Sequence, residues 1–230
     1  MKIKHSGVGA FFKLWCARRG MVLANYTAGD RLARLRDFVE LRSSGRLLQN
    51  PADACQLVSA LRATKYVAGD IAEVGTAAGG SARLIGQYSS GKTIHVFDTF
   101  EGLPKPGPID VMFHEGQYKS DIAAVQNYLK GLPVEFHKGL FPASAASVQN
   151  RAFSFVHLDV DLYRSVTDCL EFFYPRLTPG GILVCHDYLL ADGVTKAIED
   201  FFSGRPESPI ELIGYQAMIV KVGHTAPSPA

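Results

Sequence analysis

The chain has 230 residues, of which 47% are hydrophobic and 20% are charged, an ordinary composition for a globular α/β protein with one substantial core. Its net charge is only +2, although residues 1–50 hold ten Lys or Arg against three Asp or Glu. Aromatic and basic residues do not interleave in this basic arm as they do in RNA-binding motifs. We therefore expect no nucleic-acid partner and interpret the basic arm as a solvated helical face.

Cysteine usage and hydropathy favour a cytoplasmic protein. The four cysteines are far apart in the sequence, at Cys16, Cys55, Cys169 and Cys185. This spacing matches neither a zinc site nor a disulfide framework, so it indicates a reducing compartment. Lys13, Arg18 and Arg19 interrupt the apolar stretch over residues 7–23, which is also too short to span a bilayer. We expect neither a secretory leader nor membrane contact from this stretch.

Helical patterns occupy the first part of the chain. Between residues 10 and 66, apolar side chains recur at spacings of three and four, as in Leu32, Leu35, Phe38 and Val39. Asp53 is a candidate cap for one of these helices. We predict a helical extension over residues 1–66 that contacts the acceptor and an oligomer partner. A main domain over residues 67–224 and a frayed tail over residues 225–230 follow.

From residue 70 onwards, short apolar strands alternate with helices, which is typical of a parallel sheet with crossover helices. The predicted strands cover residues 70–74, 93–98, 134–137, 154–159, 181–186, 210–213 and 217–222. The turn at Gly214 and Tyr215 between the last two is too short for a parallel crossover. The prediction is an α/β, Rossmann-like fold of the class I methyltransferase type, with a seven-stranded, mostly parallel sheet and a C-terminal antiparallel hairpin.

A long connection follows the second predicted strand. Residues 100–119 contain glycines and prolines, show no clear periodicity, and form a longer loop than compact domains usually have. The segment should lie above the carboxyl edge of the sheet, where open α/β folds bind their ligands. We predict that it is a substrate lid.

A glycine-rich turn follows the first strand, in the run Glu73-Val74-Gly75-Thr76-Ala77-Ala78-Gly79-Gly80-Ser81. Glycines let the backbone approach a ligand closely, and the start of a helix offers unpaired N–H groups. Ala77 replaces the middle glycine of the dinucleotide fingerprint, which disfavours NAD. An acidic residue such as Glu73 suits a cationic, amino-bearing ligand, and S-adenosylmethionine is such a ligand. The predicted cofactor contacts in the turn are Glu73, Gly75, Thr76, Gly79 and Ser81.

The end of the second strand supplies a further nucleoside signal. Asp98 lies 23 residues beyond Gly75, the spacing of a carboxylate that binds two ribose hydroxyls. A cap for the following loop is the alternative role for Asp98. Thr99 beside it and Asp159 at the end of the fourth strand complete the predicted cofactor contacts.

Acidic residues and a histidine follow the fourth and fifth strands, in Asp159-Val160-Asp161 and His186-Asp187. Adjacent parallel strands would bring these side chains together at one edge of the sheet. Oxygen and imidazole groups facing water are typical of a divalent metal site, with Asp159, His186 and Asp187 as predicted ligands. Such an ion would bind the acceptor hydroxyl and lower its pKa. A helix cap at Asp161 and a backbone hydrogen bond at His186 are the structural alternatives.

Methyl transfer to oxygen needs alignment and a deprotonated acceptor. Asp161 is the candidate general base. His186 is the competing assignment, because imidazole titrates near neutral pH.

The chain from about Gly69 to Lys221 resembles the macrocin O-methyltransferase family, metal-dependent enzymes that methylate sugar hydroxyls in macrolide and aminocoumarin antibiotic pathways. The motifs that carry the resemblance are Gly69–Gly75, Phe97–Pro104, Leu158–Tyr163, Pro179–Gly181 and His186–Tyr188. The resemblance implies that Asp159 and Asp187 bind metal and that Asp161 is the base. His186 departs from the family pattern, which has a second aspartate there. This departure favours Mn²⁺ over Mg²⁺, or no metal at all.

Together these patterns predict an S-adenosylmethionine-dependent O-methyltransferase acting on a small-molecule hydroxyl, of a sugar or a glycosylated natural product, in a homo-oligomer. An NAD-dependent oxidoreductase is a competing hypothesis, because Asp98 suits NAD equally well. A methyltransferase with a phenolic or RNA acceptor is a second, and a nonenzymatic nucleic-acid-binding module is a third.

Overall fold

The computed structural model describes residues 7–21, 26 and 28–223, with side chains from residue 11 onwards. It divides into two compact units, Met1–Asp37 and Phe38–Ala230. In the first unit, the rings of Phe12 and Trp15 stack with centroids 6.0 Å apart. Among the described helices, none has the length and apolar character that a membrane span requires.

Three helices precede the first strand in the described chain, and strands and helices then follow one another. The α-helices are α1 (Gly7–Ala17), α2 (Arg31–Ser43), α3 (Pro51–Ala63), α4 (Gly80–Tyr88), α5 (Ile122–Tyr128), α6 (Tyr163–Phe173) and α7 (Asp192–Phe202). The strands are β1 (Asp70–Val74), β2 (Ile94–Asp98), β3 (Val134–Lys138), β4 (Phe153–Leu158), β5 (Leu177–His186), β6 (Ile210–Glu211) and β7 (Gln216–Val220). Short 3₁₀ helices cover Ala143–Val148 and Tyr174–Arg176.

The seven strands form one sheet in the order β3-β2-β1-β4-β5-β7-β6. The first five strands are parallel, whereas β7 pairs antiparallel with both β5 and β6. The predicted α/β fold, with its mostly parallel sheet and C-terminal hairpin, is confirmed. The observed strands differ from the predicted ones mainly at their ends, since β5 begins four residues earlier than predicted and β6 has only two residues.

Helices cover both faces of the sheet, and this explains why the central strands are apolar without alternation. Every residue of β4 is buried. One core cluster joins the sheet to α6 and α7 through residues such as Val166 and Ile198. The other joins it to α3, α4 and α5 through residues such as Leu57, Ile85 and Val125. The sheet therefore has one closed core on each face.

Helix α3 differs from its prediction at its first turn. Asn50, not Asp53, caps it, since the Asn50 side chain accepts hydrogen bonds from the N–H groups of Ala52 and Asp53. Asp53 lies within the first turn of the helix and is 1% exposed. Leu57 and Leu61 of this helix pack in the core with strand residues. The boundary at residue 66 stays a prediction, and the tail from residue 225 lies outside the described residues.

The long connection after β2 is folded onto the domain. Phe100 is buried, the Leu103 N–H donates to the Gln117 carbonyl, and the Gly116 N–H donates to the Leu103 carbonyl. Asp110 is 5% exposed and accepts a hydrogen bond from the Tyr163 N–H at the start of α6. The connection is thus fastened to a helix that follows β4. Its role as a substrate lid stays a prediction.

Candidate active site

A cavity of about 450 Å³ opens at the carboxyl ends of the parallel strands. Parallel strands leave their following loops at this edge, which is where open α/β sheets bind ligands. All of its lining residues belong to the second unit. The lining includes nine of the predicted site residues: Gly75, Thr76, Ser81, Asp98, Thr99, Asp159, Asp161, His186 and Asp187.

The turn after β1 is held against the neighbouring strand ends. Gly75 has φ +82°, and a Cβ there would lie 1.9 Å from the Asp159 carbonyl oxygen, so only glycine fits this approach. Asp98 Oδ2 accepts hydrogen bonds from the N–H groups of Thr76 and Ala77, at 2.8 and 3.0 Å. The hydroxyl of Thr76 is buried and has no hydrogen-bond partner among the described residues. The turn therefore presents an unsatisfied polar atom, Thr76 Oγ1, at the cavity wall.

Asp98 also caps the loop that follows β2, the alternative role considered for it, because its Oδ1 accepts a hydrogen bond from the Phe100 N–H at 2.7 Å. The carboxylate therefore organises both the glycine turn and the following loop. Since Asp98 still lines the cavity, its predicted ribose contact stays a prediction.

Two predicted cofactor residues do not line the cavity. Glu73 is fully buried in β1, and its Oε1 lies 2.9 Å from His157 Nδ1. Gly79 has φ +83° and precedes the first residue of α4, so it shapes the start of that helix. In the structure, the two residues flank the turn and do not line the cavity.

The predicted acid cluster is assembled around one imidazole. His186 Nδ1 lies 2.9 Å from Asp187 Oδ1 and 3.3 Å from Asp159 Oδ1. Its Nε2 lies 3.5 Å from Asp53 Oδ2. Neither ring nitrogen has an aligned hydrogen bond within the described chain, so these contacts are ion pairs. The backbone hydrogen bond considered for His186 is absent from the described contacts.

The charges in this cluster shift its pKa values in opposite directions. Burial lowers the pKa of His186, but the charge of Asp159, aided by Asp187 and Asp53, outweighs burial and raises this pKa far above its usual range. Burial opposes ionisation of Asp159, yet His186 holds the pKa of Asp159 below its ordinary value. Burial and the charge of Asp159 raise the pKa of Asp161 well above its ordinary value. Asp161 is therefore the more basic carboxylate.

Two residues of the acid cluster have a strained backbone. Asp161 and Asp187 both have φ near +61°, and Ala77 and Tyr118 also have positive φ. Such conformations are uncommon outside glycine and cluster at functional sites. Asp161 is not the helix cap considered as its alternative role, since Leu162 occupies the cap position of α6 and makes no side-chain cap bond.

Helix α3 and the segment just before it contribute site residues that the sequence analysis did not predict. Gln49 Nε2 lies 3.0 Å from Asp159 Oδ2 and 3.1 Å from His157 Nε2. Asp53 supplies the third carboxylate beside His186. The long connection contributes Tyr118, whose pKa is raised by burial and by the charge of Asp161. Asn50, a residue type that favours helix caps, could have predicted where α3 begins. No sequence motif identifies Gln49 as a site residue.

The donor set of the acid cluster fits a borderline divalent ion. One ligand atom from each of Asp159, His186 and Asp187 lies within 4.8 Å of the other two. Both ring nitrogens of His186 and one oxygen of Asp53 are buried without hydrogen-bond partners in the described residues. A mixed nitrogen and oxygen set suits Mn²⁺ better than Mg²⁺. The cation itself stays a prediction.

Residues 48–221, more than half of the chain, match the family described as macrocin O-methyltransferase (TylF). The chain belongs to this macrocin O-methyltransferase family. A relative from Streptomyces olivaceus, 8-demethyl-8-(2,3-dimethoxy-alpha-L-rhamnosyl)-tetracenomycin-C 4'-O-methyltransferase, is 31% identical over 153 residues. That match covers 59% of this chain and 58% of the relative, so the chain spans little more than half of the relative's length.

Solved structures show the same fold. The O-methyltransferase NovP has a TM-score of 0.68 and 20% identity, over 80% of this chain and 88% of NovP. The calicheamicin methyltransferase CalS11 has a TM-score of 0.65 and 18% identity, over 95% of this chain and 94% of CalS11. At these identities, the similarity establishes the class I methyltransferase fold of this macrocin O-methyltransferase family member.

The close approach of Gly75 to Asp159 gives a stability prediction. Gly75→Ala should destabilise the fold by about 3 kcal/mol or more, because its Cβ would collide with backbone. Gly91→Ala is a matched control, since Gly91 has φ +81° but a Cβ there meets nothing within 4 Å among the described residues. The control should cost only about 1–2 kcal/mol of backbone strain. Urea unfolding measures both, and equal losses would contradict the predicted collision.

Proposed function

We propose that the protein is an S-adenosylmethionine-dependent O-methyltransferase whose acceptor is a sugar hydroxyl of a glycosylated natural product. One observation carries the proposal: a single cavity holds both the glycine turn with Asp98 and the acid cluster with Asp161. Family membership supports this function over an NAD-dependent oxidoreductase. The rhamnosyl group in the name of the Streptomyces olivaceus relative supports a deoxysugar acceptor.

The turn side of the cavity is suited to the methyl donor. Asp98 would accept hydrogen bonds from the ribose hydroxyls, and the buried Thr76 hydroxyl, which has no partner in the described chain, supports a polar ligand here. The negative charge of the acid cluster favours a cationic sulfonium nearby. When bound, S-adenosylmethionine supplies the electrophilic methyl group and leaves as S-adenosylhomocysteine.

The acid cluster is suited to the acceptor side. Asp161 would take the proton of the acceptor hydroxyl as that oxygen forms its bond to the methyl carbon and the carbon–sulfur bond breaks. Its raised pKa makes it a stronger base than an ordinary carboxylate. His186 balances the charges of Asp159 and Asp187, and this leaves Asp161 as the better proton acceptor.

The remaining assignments are part of the same proposal. Asp159, His186 and Asp187 would hold a divalent cation that polarises the acceptor hydroxyl, and this cation would replace the proton of His186 as the charge that balances the two carboxylates. Homo-oligomer formation and a cytoplasmic location stay predictions as well.

The first test is cofactor binding. Calorimetry should detect S-adenosylhomocysteine binding, and Asp98→Ala should weaken it at least about tenfold, because the variant loses both the ribose contact and the hydrogen bonds that hold the glycine turn. Asp200→Ala, which removes an exposed carboxylate on α7 away from the cavity, should leave the affinity unchanged. Absence of binding to the folded wild-type chain at about 1 mM ligand would disprove the cofactor assignment.

The second test concerns the base. Asp161→Asn should lower turnover by about 10²-fold or more and leave S-adenosylhomocysteine affinity nearly unchanged, because asparagine tolerates the left-handed backbone. Transfer of a labelled methyl group to a panel of rhamnosylated aromatic acceptors measures turnover. Full activity of Asp161→Asn would exclude Asp161, and His186→Gln would then test the competing base.

The third test concerns the cation. Chelation should abolish methyl transfer, and Mn²⁺ should restore it more effectively than Mg²⁺, because the site contains an imidazole. S-adenosylhomocysteine binding in the chelator serves as the control for an intact cofactor site. Full activity after exhaustive chelation would show that the cluster works without a metal.

A further inference from the structure

A second group of possible metal ligands lies at the β3 edge of the sheet, and the proposed methyl transfer makes no use of it. In the parallel pairing of β2 and β3, His95 lies opposite Glu135 and Phe97 lies opposite His137. Paired residues, and residues two apart on one strand, share a face of the sheet. His95, Glu135 and His137 therefore project from the same face.

The distances from His95 to its two neighbours are close to those around a tetrahedral metal. His95 Nδ1 lies 3.0 Å from His137 Nε2 and 3.5 Å from Glu135 Oε2. One ligand atom from each of the three residues lies within 4.8 Å of the other two. Ligand bonds to zinc of about 2.0–2.2 Å place neighbouring ligand atoms about 3.3–3.5 Å apart. The distance from His95 to Glu135 already has this value, and the distance from His95 to His137 is shorter by a few tenths of an ångström.

The outer contacts of both rings are those that orient metal-binding histidines. His95 Nε2 lies 3.2 Å from Asp70 Oδ2, and His137 Nδ1 lies 3.2 Å from Ser147 Oγ. Each outer contact leaves the other nitrogen of its ring facing the group, as in carboxylate–histidine–zinc arrangements. The His137 ring also stacks on Phe97 with centroids 4.5 Å apart, and this fixes its plane.

The group is accessible to an ion from solvent. β3 is an edge strand, and the Glu135 side chain is 57% exposed. His95, by contrast, is fully buried. An ion bound here would have a buried imidazole on one side and an open coordination position on the other.

We propose that His95, Glu135 and His137 form a Zn²⁺ site that cross-links the edge strand β3 to β2, with Asp70 and Ser147 as positioning residues. Two imidazole nitrogens and one carboxylate oxygen are a zinc ligand set, and the fourth position is left for water. The site would stabilise the strand that leads into Gly139, Leu140 and Phe141 at the cavity wall. None of its ligands belongs to the acid cluster.

Metal binding by the full, tag-free chain tests the proposal without any activity assay. Zn²⁺ is titrated into chelator-stripped protein in competition with a chromophoric chelator, and Co²⁺ serves as a spectroscopic probe of tetrahedral coordination. The wild type should bind Zn²⁺ at this site and give the intense visible absorption of tetrahedral Co²⁺. Zn²⁺ should also raise its thermal midpoint, because ligands that bind only the folded state stabilise it.

Variants distinguish Zn²⁺ binding at this site from binding elsewhere on the protein. His137→Gln and Glu135→Gln should each weaken Zn²⁺ binding at least about tenfold, and Asp70→Asn should weaken it by about tenfold through ring orientation. His186→Gln, which alters the acid cluster, and His114→Gln, which removes another histidine, should retain the Co²⁺ spectrum. Because Glu135 is exposed on an edge strand, its variant keeps the test valid if a histidine variant fails to fold.

Two results would overturn the proposal. Zn²⁺ binding that survives His137→Gln and Glu135→Gln in a His186→Gln background, which removes a ligand of the acid cluster, would place the ion elsewhere. Absence of Zn²⁺ binding at about 100 μM would show that a proton, not a metal, joins the two imidazoles in a hydrogen-bonded chain from Ser147 to Asp70.

Discussion

Carboxylates at the ends of neighbouring strands can share a small space only if positive charge lies among them. Two like charges 4 Å apart repel by about 4 kcal/mol at an effective dielectric constant of 20. The parallel pairing of β4 with β5 forces Asp159 and Asp187 to the same edge, and α3 adds Asp53. His186 lies within 3.5 Å of an oxygen of all three. The arrangement of the rest of the site depends on this balance between the positive charge of His186 and the three carboxylates.

The sequence was sufficient for the sheet and for the acids at its strand ends, because both depend on local patterns. Apolar runs marked the strands, and parallel topology then required Asp159 and His186 to be neighbours. It was not sufficient for Gln49 and Asp53, because Gln49 lies 110 positions before Asp159, its hydrogen-bond partner. Neither periodicity nor capping preference specifies which distant strand a helix start will contact. Asp53 was accordingly misread as a cap.

The long connection after β2 is a second case in which local sequence patterns do not predict a long-range contact. The length and composition of this connection predicted a functional loop. They did not predict that Asp110 attaches the loop to the start of α6. The Asp110 carboxylate accepts the N–H of Tyr163 and leaves no room for a side chain at Gly193, where a Cβ would lie 2.0 Å from its Oδ1. This contact joins the loop after β2 to the starts of α6 and α7. Tyr118 of the same connection lines the cavity, where the charge of Asp161 helps to raise its pKa.

A buried glutamate in a central strand requires a partner, and the partner of Glu73, His157, leads to a chain of contacts between the two halves of the cavity. His157 Nδ1 faces Glu73, so the opposite nitrogen of the ring can accept an N–H from the Gln49 amide. The same amide nitrogen donates its second hydrogen to Asp159, which also pairs with His186. This chain fixes the tautomer of His157 and joins the strand below the glycine turn to the acid cluster. A shift of either half would leave buried polar atoms unpaired, which costs about 1–3 kcal/mol per group. The two halves are therefore constrained to keep one relative position, as an in-line transfer between them would require.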